Sequence, residues 1–257
     1  MYLPSFNLNG KTVLVTGAGR GIGQAIAVGM AEAGANIVLL ARTEKDLLHT
    51  SKTIQEKGKQ ALPIVTDVTN REQVQKAVKQ AAEHFGTIDV LVNNAGMNIR
   101  SKALNVTDEE WGTIMDTNLK SAFMLSQETA RIMKENGTQG SILSISSVAG
   151  HIALRTGVVY ASTKAAMIQM TKVLAFEWAE YGIRVNSIGP WYFKTPLTEK
   201  LLADEEYLKD ILAVTPLNRV GELSELVGPA VFLSSEAANY ITGQTLFVDG
   251  GMTIQGF

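Results

Sequence analysis

The sequence predicts an α/β fold, a doubly wound parallel sheet of about seven strands with helices on both faces. Three observations predict it. Short continuous apolar runs alternate with helix-period segments along the chain, the alternation continues without a linker, and a glycine-rich turn joins the first run to the first helix. Continuous apolar runs, unlike alternating ones, belong to strands covered on both faces.

Lys11–Thr16 (KTVLVT) reads as the first buried strand and Gly21–Ala33 as a helix closed by Gly34. Asn36–Ala41 (NIVLLA) is the second strand, followed by an amphipathic helix from Glu44 to Lys57. Ala61–Thr66 is a third strand, Arg71–Phe85 a helix and Ile88–Val92 a fourth strand. A long helix is expected over Thr107–Lys134, with Thr107-Asp108-Glu109-Glu110 as a capping box. Ser141–Ser146 is the fifth strand, Gly157–Tyr181 a helix and Arg184–Ile188 the sixth strand. Helical segments fill much of Pro196–Ser235, and Thr245–Val248 is the last strand before Asp249-Gly250-Gly251. With no low-complexity stretch, charge block or repeat, residues 1–257 read as one domain.

Composition removes several function classes. A net charge of −2 gives no electrostatic case for nucleic acid or an anionic membrane as partner. The absence of cysteine excludes disulfides, thiolate metal sites and cysteine nucleophiles. Three histidines, none in a cluster with metal-ligand spacing, give the expectation of no catalytic metal. Neither a signal peptide nor a membrane-length apolar run is recognised, so a soluble cytoplasmic protein is expected.

The turn after the first strand reads VTGAGRGIGQAIA, with Gly17, Gly19, Gly21 and Gly23. Glycines there let backbone N–H groups approach a pyrophosphate, and the helix N-terminus favours its charge. The G-x-G-x-x-G spacing is not met, since Ile22 stands at its last glycine; the pattern is T-G-x-x-x-G-x-G. The strand–turn–helix context is what points to a nucleotide. At the end of the second strand, Ala41-Arg42 replaces the acid that would hold an NAD ribose. Arg42, joined by Arg20, can pair with a 2′-phosphate, so NADP(H) is the expected cofactor, with NAD(H) possible; as a solvated loop charge, Arg42 would carry no such meaning.

Tyr160 and Lys164 lie four apart on an expected helix and share a face. A tyrosine near pKa 10 is a weak base at neutral pH, and a neighbouring ammonium favours its phenolate. Together with TGAGRGIG, the NNAG at 93–96, Asn118 and Ser147, these residues resemble the short-chain dehydrogenase/reductase family, from about Lys11 to Gly251. The resemblance implies a Rossmann fold with Tyr160 as general acid/base and Lys164 on the nicotinamide ribose. Ser147 would orient the substrate oxygen while Ser146 faces the other way, and Asn118 would support a water chain to the lysine. It further implies cofactor contacts from Asp67 and Val68, from Asn93, Asn94, Ala95 and Gly96, and from Pro190 and Thr195. Asn118 as a helix-bending hydrogen bonder and Asn93 as a strand-end turn residue are the structural alternatives.

One departure touches the substrate. Trp191 stands where that family has glycine after Pro190; it narrows the site, stacks on a substrate, or packs at a subunit contact. The stretches NSIGPWYFKTPLT, TPLNRVGELSELVGPAVFLSS and VDGG resemble the gluconate 5-dehydrogenase branch, which implies a small carbonyl/alcohol substrate of the sugar-acid class. Arg100, on the loop after the fourth strand, could clamp a substrate carboxylate or face solvent. His151 and Arg155 line the pocket or its rim. The competing reading is a 3-oxoacyl-(acyl carrier protein) reductase, with Arg131 or Lys102 docking the carrier; a non-enzymatic nucleotide-binding regulator is the third. The family is usually a homotetramer, and Ile114, Met115, Phe123, Met124, Met167, Met170 and Phe176 suit either such an interface or core.

Overall fold

The computed structural model describes residues 2–254; residue 1 and residues 255–257 of the expected domain lie outside the described residues. Seven strands form one parallel sheet in the order β3-β2-β1-β4-β5-β6-β7. They are β1 (Thr12–Thr16), β2 (Asn36–Ala41), β3 (Ala61–Val65), β4 (Val90–Asn93), β5 (Ser141–Ile145), β6 (Arg184–Pro190) and β7 (Thr245–Val248). The order reverses between β1 and β4, which leaves a crevice at the carboxyl ends of those strands.

Each central strand feeds two cores. In β1, Val13 and Val15 face one layer and Leu14 the other; in β2, Ile37 and Leu39 oppose Val38 and Leu40. The first layer is made by α1 (Gly21–Glu32), α2 (Glu44–Gln55) and α9 (Ser224–Ser234). The second is made by α3 (Arg71–Phe85), α5 (Ser121–Asn136) and α6 (Val158–Trp178). Each fully buried Leu, Ile or Val adds about 1.5–3 kcal/mol, so the two-sided sheet carries most of the hydrophobic driving force.

Local signals set the element ends. Asn70 caps α3 through its side chain, accepting from Gln73 N at 3.1 Å, and Gly86 ends it in a left-handed conformation. The expected long helix from Thr107 is interrupted. It runs as α4 (Asp108–Met115), a π turn over Asp116–Lys120, and then α5. The Ser121 amide reaches back five residues to the Asp116 carbonyl, while its hydroxyl donates to Thr117 O at 2.6 Å. The capping box is also only half formed. Thr107 Oγ1 accepts from Glu110 N at 3.1 Å, but the Glu110 carboxylate takes the Ser101 hydroxyl at 2.6 Å instead of returning to Thr107. β6 extends past the expected Ile188 through Pro190, because Gly189 and Pro190 still pair with Phe247 and Val248.

The expected interface positions divide. Ile114, Met124 and Met167 are core, Met115 and Met170 are half-buried, and Phe123 and Phe176 are exposed by 38% and 87%. Among the described residues, no helix is long and apolar enough to cross a membrane.

The α1–α9 contact depends on a glycine. A Cβ on Gly29 would enter the Val227 side chain, which is β-branched and has little room to turn. Gly29→Ala is expected to lower stability by about 1–3 kcal/mol despite the gain in helix propensity, read from urea unfolding midpoints; an unchanged or raised midpoint would contradict the packing account.

Candidate active site

The crevice between β1 and β4 opens into a cleft of about 430 Å³ that runs from the glycine turn to Ser147, Tyr160 and Lys164. Its floor is tied at one residue. Thr16 Oγ1 accepts from the amides of Asn94 and Ala95, each at 2.9 Å, and Asn94 Nδ2 donates to Thr16 O at 2.9 Å and Gly17 O at 3.3 Å. The first glycine turn and the loop after β4 are thereby locked side by side. Gly17 has φ +63°, and a Cβ on Gly23 would collide with Gly17 O and Asn94 Nδ2, so both positions require glycine.

This end of the cleft suits a dinucleotide phosphate. No side chain caps α1, so its first-turn amides are left for an anion. Gly19, Gly21 and Ile22 line the cleft, and a Cβ on Gly21 would project towards Pro196 and Thr195, 3.7 and 3.8 Å away across it. Arg20 and Arg42 are exposed, line the cleft, and form no ion pair among the described residues. Val68 lines it too, as does Asp67, whose carboxylate accepts from Thr69 N at 2.9 Å and Thr69 Oγ1 at 2.8 Å. Those bonds hold the Asp67 carboxyl below its usual range, Arg42 adding to the effect. Asn94, Ala95, Gly96, Pro190 and Thr195 are also on the cleft wall, whereas Gly23 of the predicted set packs behind it against Gly17 and Asn94. Asn93 does not belong there. Its side chain turns away to donate to Ser126 Oγ on α5 at 2.8 Å, and the neighbouring Asn94 takes the cleft.

At the other end, Tyr160 and Lys164 project from α6 beside the end of β5. Lys164 is buried, and its Nζ donates to Ile145 O at 2.8 Å and stands 5.6 Å from the centre of the Tyr160 ring. Ser147 is extended at the start of a 3₁₀ turn, its hydroxyl accepting from Ala149 N at 3.1 Å, and it neighbours the phenol. Ser146 also reaches the cleft wall, but its hydroxyl is committed to Ile188 O at 2.9 Å. Tyr160 keeps part of its surface in the cleft, yet burial pushes its phenol above 10, against the lowering effects of Ser147 and then Arg100. The same dense surroundings bring Lys164 down to about 8. The sequence predicts a tyrosine lowered by the ammonium; in this structure burial raises it, and the groups that oppose the rise are Ser147 and Arg100.

Asn118 is fully buried in the π turn. Its Oδ1 accepts from Met97 N at 2.8 Å, and its Nδ2 donates to Met97 O at 2.9 Å and Thr163 Oγ1 at 3.3 Å. The side chain clamps the loop after β4 to α6, and Thr117 is the π-turn residue that reaches the cleft.

Trp191 lines the cleft, its indole fixed by a hydrogen bond to Thr215 Oγ1 at 3.0 Å and an edge contact with Tyr192. Arg100 stands on the outer rim, where Nη1 donates to Tyr207 OH at 3.3 Å and Arg155 O at 3.4 Å. His151 leans on Phe247 and Arg155 pairs with Asp210 at 2.8 Å; neither lines the cleft. Arg131 is engaged by Glu128, which leaves it a poor dock for an acidic carrier. Sequence reasoning missed Thr16, Asp46 and Thr198. The threonine of the T-G pattern was the available signal for the first, whereas Asp46 enters the cleft by packing under Gly19. Among the described residues no cluster of metal-ligating side chains occurs.

A family model described as enoyl-(acyl carrier protein) reductase matches residues 17–253. The chain is 42% identical to a tropinone reductase homolog of Arabidopsis thaliana, over 98% of this chain and 96% of that protein. It is 40% identical to gluconate 5-dehydrogenase of Gluconobacter oxydans, over 97% of each. A solved gluconate 5-dehydrogenase from Burkholderia cenocepacia, in complex with NADP and tartrate, matches with a TM-score of 0.95 at 39% identity, covering 100% of both chains.

Burial of Lys164 makes stability depend on pH. Between about 8 and 10.5 the unfolded chain binds more protons at this lysine than the folded one, so its contribution to stability rises with pH there. The difference in unfolding free energy between the parent and Lys164→Met should therefore grow by about 3 kcal/mol in the parent's favour from pH 7 to 10.5. Urea titrations across that range measure it, and a flat difference would refute the buried-charge account.

Proposed function

The chain belongs to the short-chain dehydrogenase/reductase family and is an NAD(P)-dependent oxidoreductase; from that premise we propose that it uses NADP(H) to interconvert a carbonyl and a secondary alcohol on a sugar acid. The observation that carries the reading is the convergence of Ser147, Tyr160 and Lys164 at one end of a cleft whose other end bears the unpaired Arg20 and Arg42.

When bound, the dinucleotide gives or takes a hydride; the protein manages the proton and the oxygen. In reduction, Tyr160 donates its phenolic proton to the carbonyl oxygen, and Ser147 donates a hydrogen bond to the same atom. In oxidation, the Tyr160 oxygen takes the alcohol proton. Lys164, anchored on Ile145 O, keeps a positive charge beside the ring and so steadies the phenolate formed in reduction. Asn118 acts as a positioning residue, holding Met97 and α6 in register. Arg42 and Arg20 receive the 2′-phosphate, supported by the lack of a carboxylate directly after β2 and by the NADP bound in the Burkholderia enzyme.

The sugar-acid assignment is supported by likeness to two gluconate 5-dehydrogenases, in one case with tartrate bound, and by the acid-free guanidinium of Arg100 at the rim. A second reading, a ketone such as tropinone, is favoured by the Arabidopsis homolog and by the apolar wall of Trp191, Phe193 and Leu197. The exposed Phe123 and Phe176 support a homotetramer.

Turnover with NADPH of 5-ketogluconate, a 3-oxoacyl thioester and tropinone separates the readings; preference for either of the last two would displace the sugar acid. Tyr160→Phe should lower kcat by about 10²–10⁴-fold on whichever substrate is used. Arg42→Ala should reduce kcat/KM with NADPH by about tenfold or more and leave that with NADH nearly unchanged. An unaltered ratio of the two would remove the 2′-phosphate role.

A further inference from the structure

Two phenols near the site are not used by the proton chemistry at Tyr160. Tyr192 directly follows Trp191 at the end of β6, and Tyr207 lies on α8 (Glu205–Ala213). Their hydroxyls are 2.6 Å apart, with the rings edge to face and 6.0 Å between centres. Both phenols line a groove with Trp191, Leu154, Ile211 and the ion pair of Arg155 with Asp210, whose charges offset each other. Trp191 is also a wall of the cleft that contains Tyr160, so the indole stands between groove and cleft and borders both.

Counting hydrogens decides what this pair offers. A phenol has one hydrogen to donate and two positions at which to accept. Arg100 can only donate, so its contact with Tyr207 uses an acceptor position and no phenolic hydrogen. Of the two phenolic hydrogens, one lies between the oxygens, and the other has no acceptor among the described residues. In either orientation the pair therefore presents one surplus O–H beside a guanidinium with no carboxylate partner. Burial, then the contact with Tyr207, push Tyr192 up to about 12, so it remains a donor at neutral pH. The charge of Arg100 also reaches Tyr160, lowering it, which sets the two ends of the site within electrostatic range of each other.

The donors are held in place. The Trp191 edge meets Tyr192 at 4.6 Å between centres, and the Arg155 guanidinium sits 5.2 Å over the Tyr207 ring while paired to Asp210. A surplus O–H beside a positive charge is a match for a carboxylate oxygen. We infer that Tyr192 and Tyr207, together with Arg100, form the specificity element that binds the carboxylate end of the substrate while Ser147 and Tyr160 act on its carbonyl. This rests on the sugar-acid reading above.

The test is steady-state kinetics with NADPH for the parent, Tyr192→Phe and Tyr207→Phe, on 5-ketogluconate and on a neutral ketose of the same length. Each variant should raise KM for the acid about tenfold, keep kcat within twofold, and leave kcat/KM for the neutral ketose unchanged. An unchanged KM for the acid, or equal losses on both substrates, overturns the role of the pair and leaves the sugar-acid reading intact. No turnover of sugar acid by the parent enzyme overturns that reading and the pair with it. Tyr192→Phe removes a single oxygen from a buried ring, so the question stays answerable if Tyr207→Phe does not fold.

Discussion

A single threonine hydroxyl at the end of β1 joins the two loops on which the cleft is built. Thr16 Oγ1 takes the amides of Asn94 and Ala95, and Asn94 answers with its own amide to the Thr16 and Gly17 carbonyls. At a topological switch point the adjacent loops diverge to opposite faces of the sheet, and something must pin them before a ligand can lie across them. Here the pin is small and fully hydrogen-bonded, and it explains the glycine demand around it. Gly17 must turn left-handed, and Gly23 must lack a side chain, because Asn94 occupies the space between them.

At the chemical end, the decisive physical quantity is burial. It moves tyrosine and lysine in opposite directions, Tyr160 above 10 and Lys164 down to about 8, so the lysine is the first of the two to lose its proton as pH rises. At neutral pH the pair is a phenol beside an ammonium, a combination ready to give a proton to a carbonyl oxygen. The bond from Lys164 to the Ile145 carbonyl also means that the charge is fixed to the sheet itself, not to a movable loop.

Much of this was legible in the sequence because local rules and the fold agree. The helix from Arg71 to Phe85 has its asparagine cap and its glycine stop in the residues themselves, Gly34 precedes the strand Asn36–Ala41, and Gly243 and Asp249-Gly250 flank Thr245–Val248. The catalytic group was readable from spacing along one helix and from the family likeness. What escaped depends on contacts between distant segments. Asn93 and Asn94 look equivalent in sequence, but the period-two pleat sends the first into α5 and leaves the second for the cleft. The long helix shows no glycine or proline at 116–120, so nothing local announces its π turn. Tyr192 and Tyr207 meet only because α8 returns to the segment that follows β6, and no periodicity connects them.

That π turn carries an extra residue within an otherwise continuous helix. Removing one residue from 116–120 would relax the turn to ordinary α geometry and rotate everything beyond it by about 100°. Asn118 could then keep hold of Met97 only if α5 turned its buried Met124 and Met133 out of the core. The helix is thus phased twice, once for the site and once for the sheet, and the bulge is the insertion that reconciles the two phases.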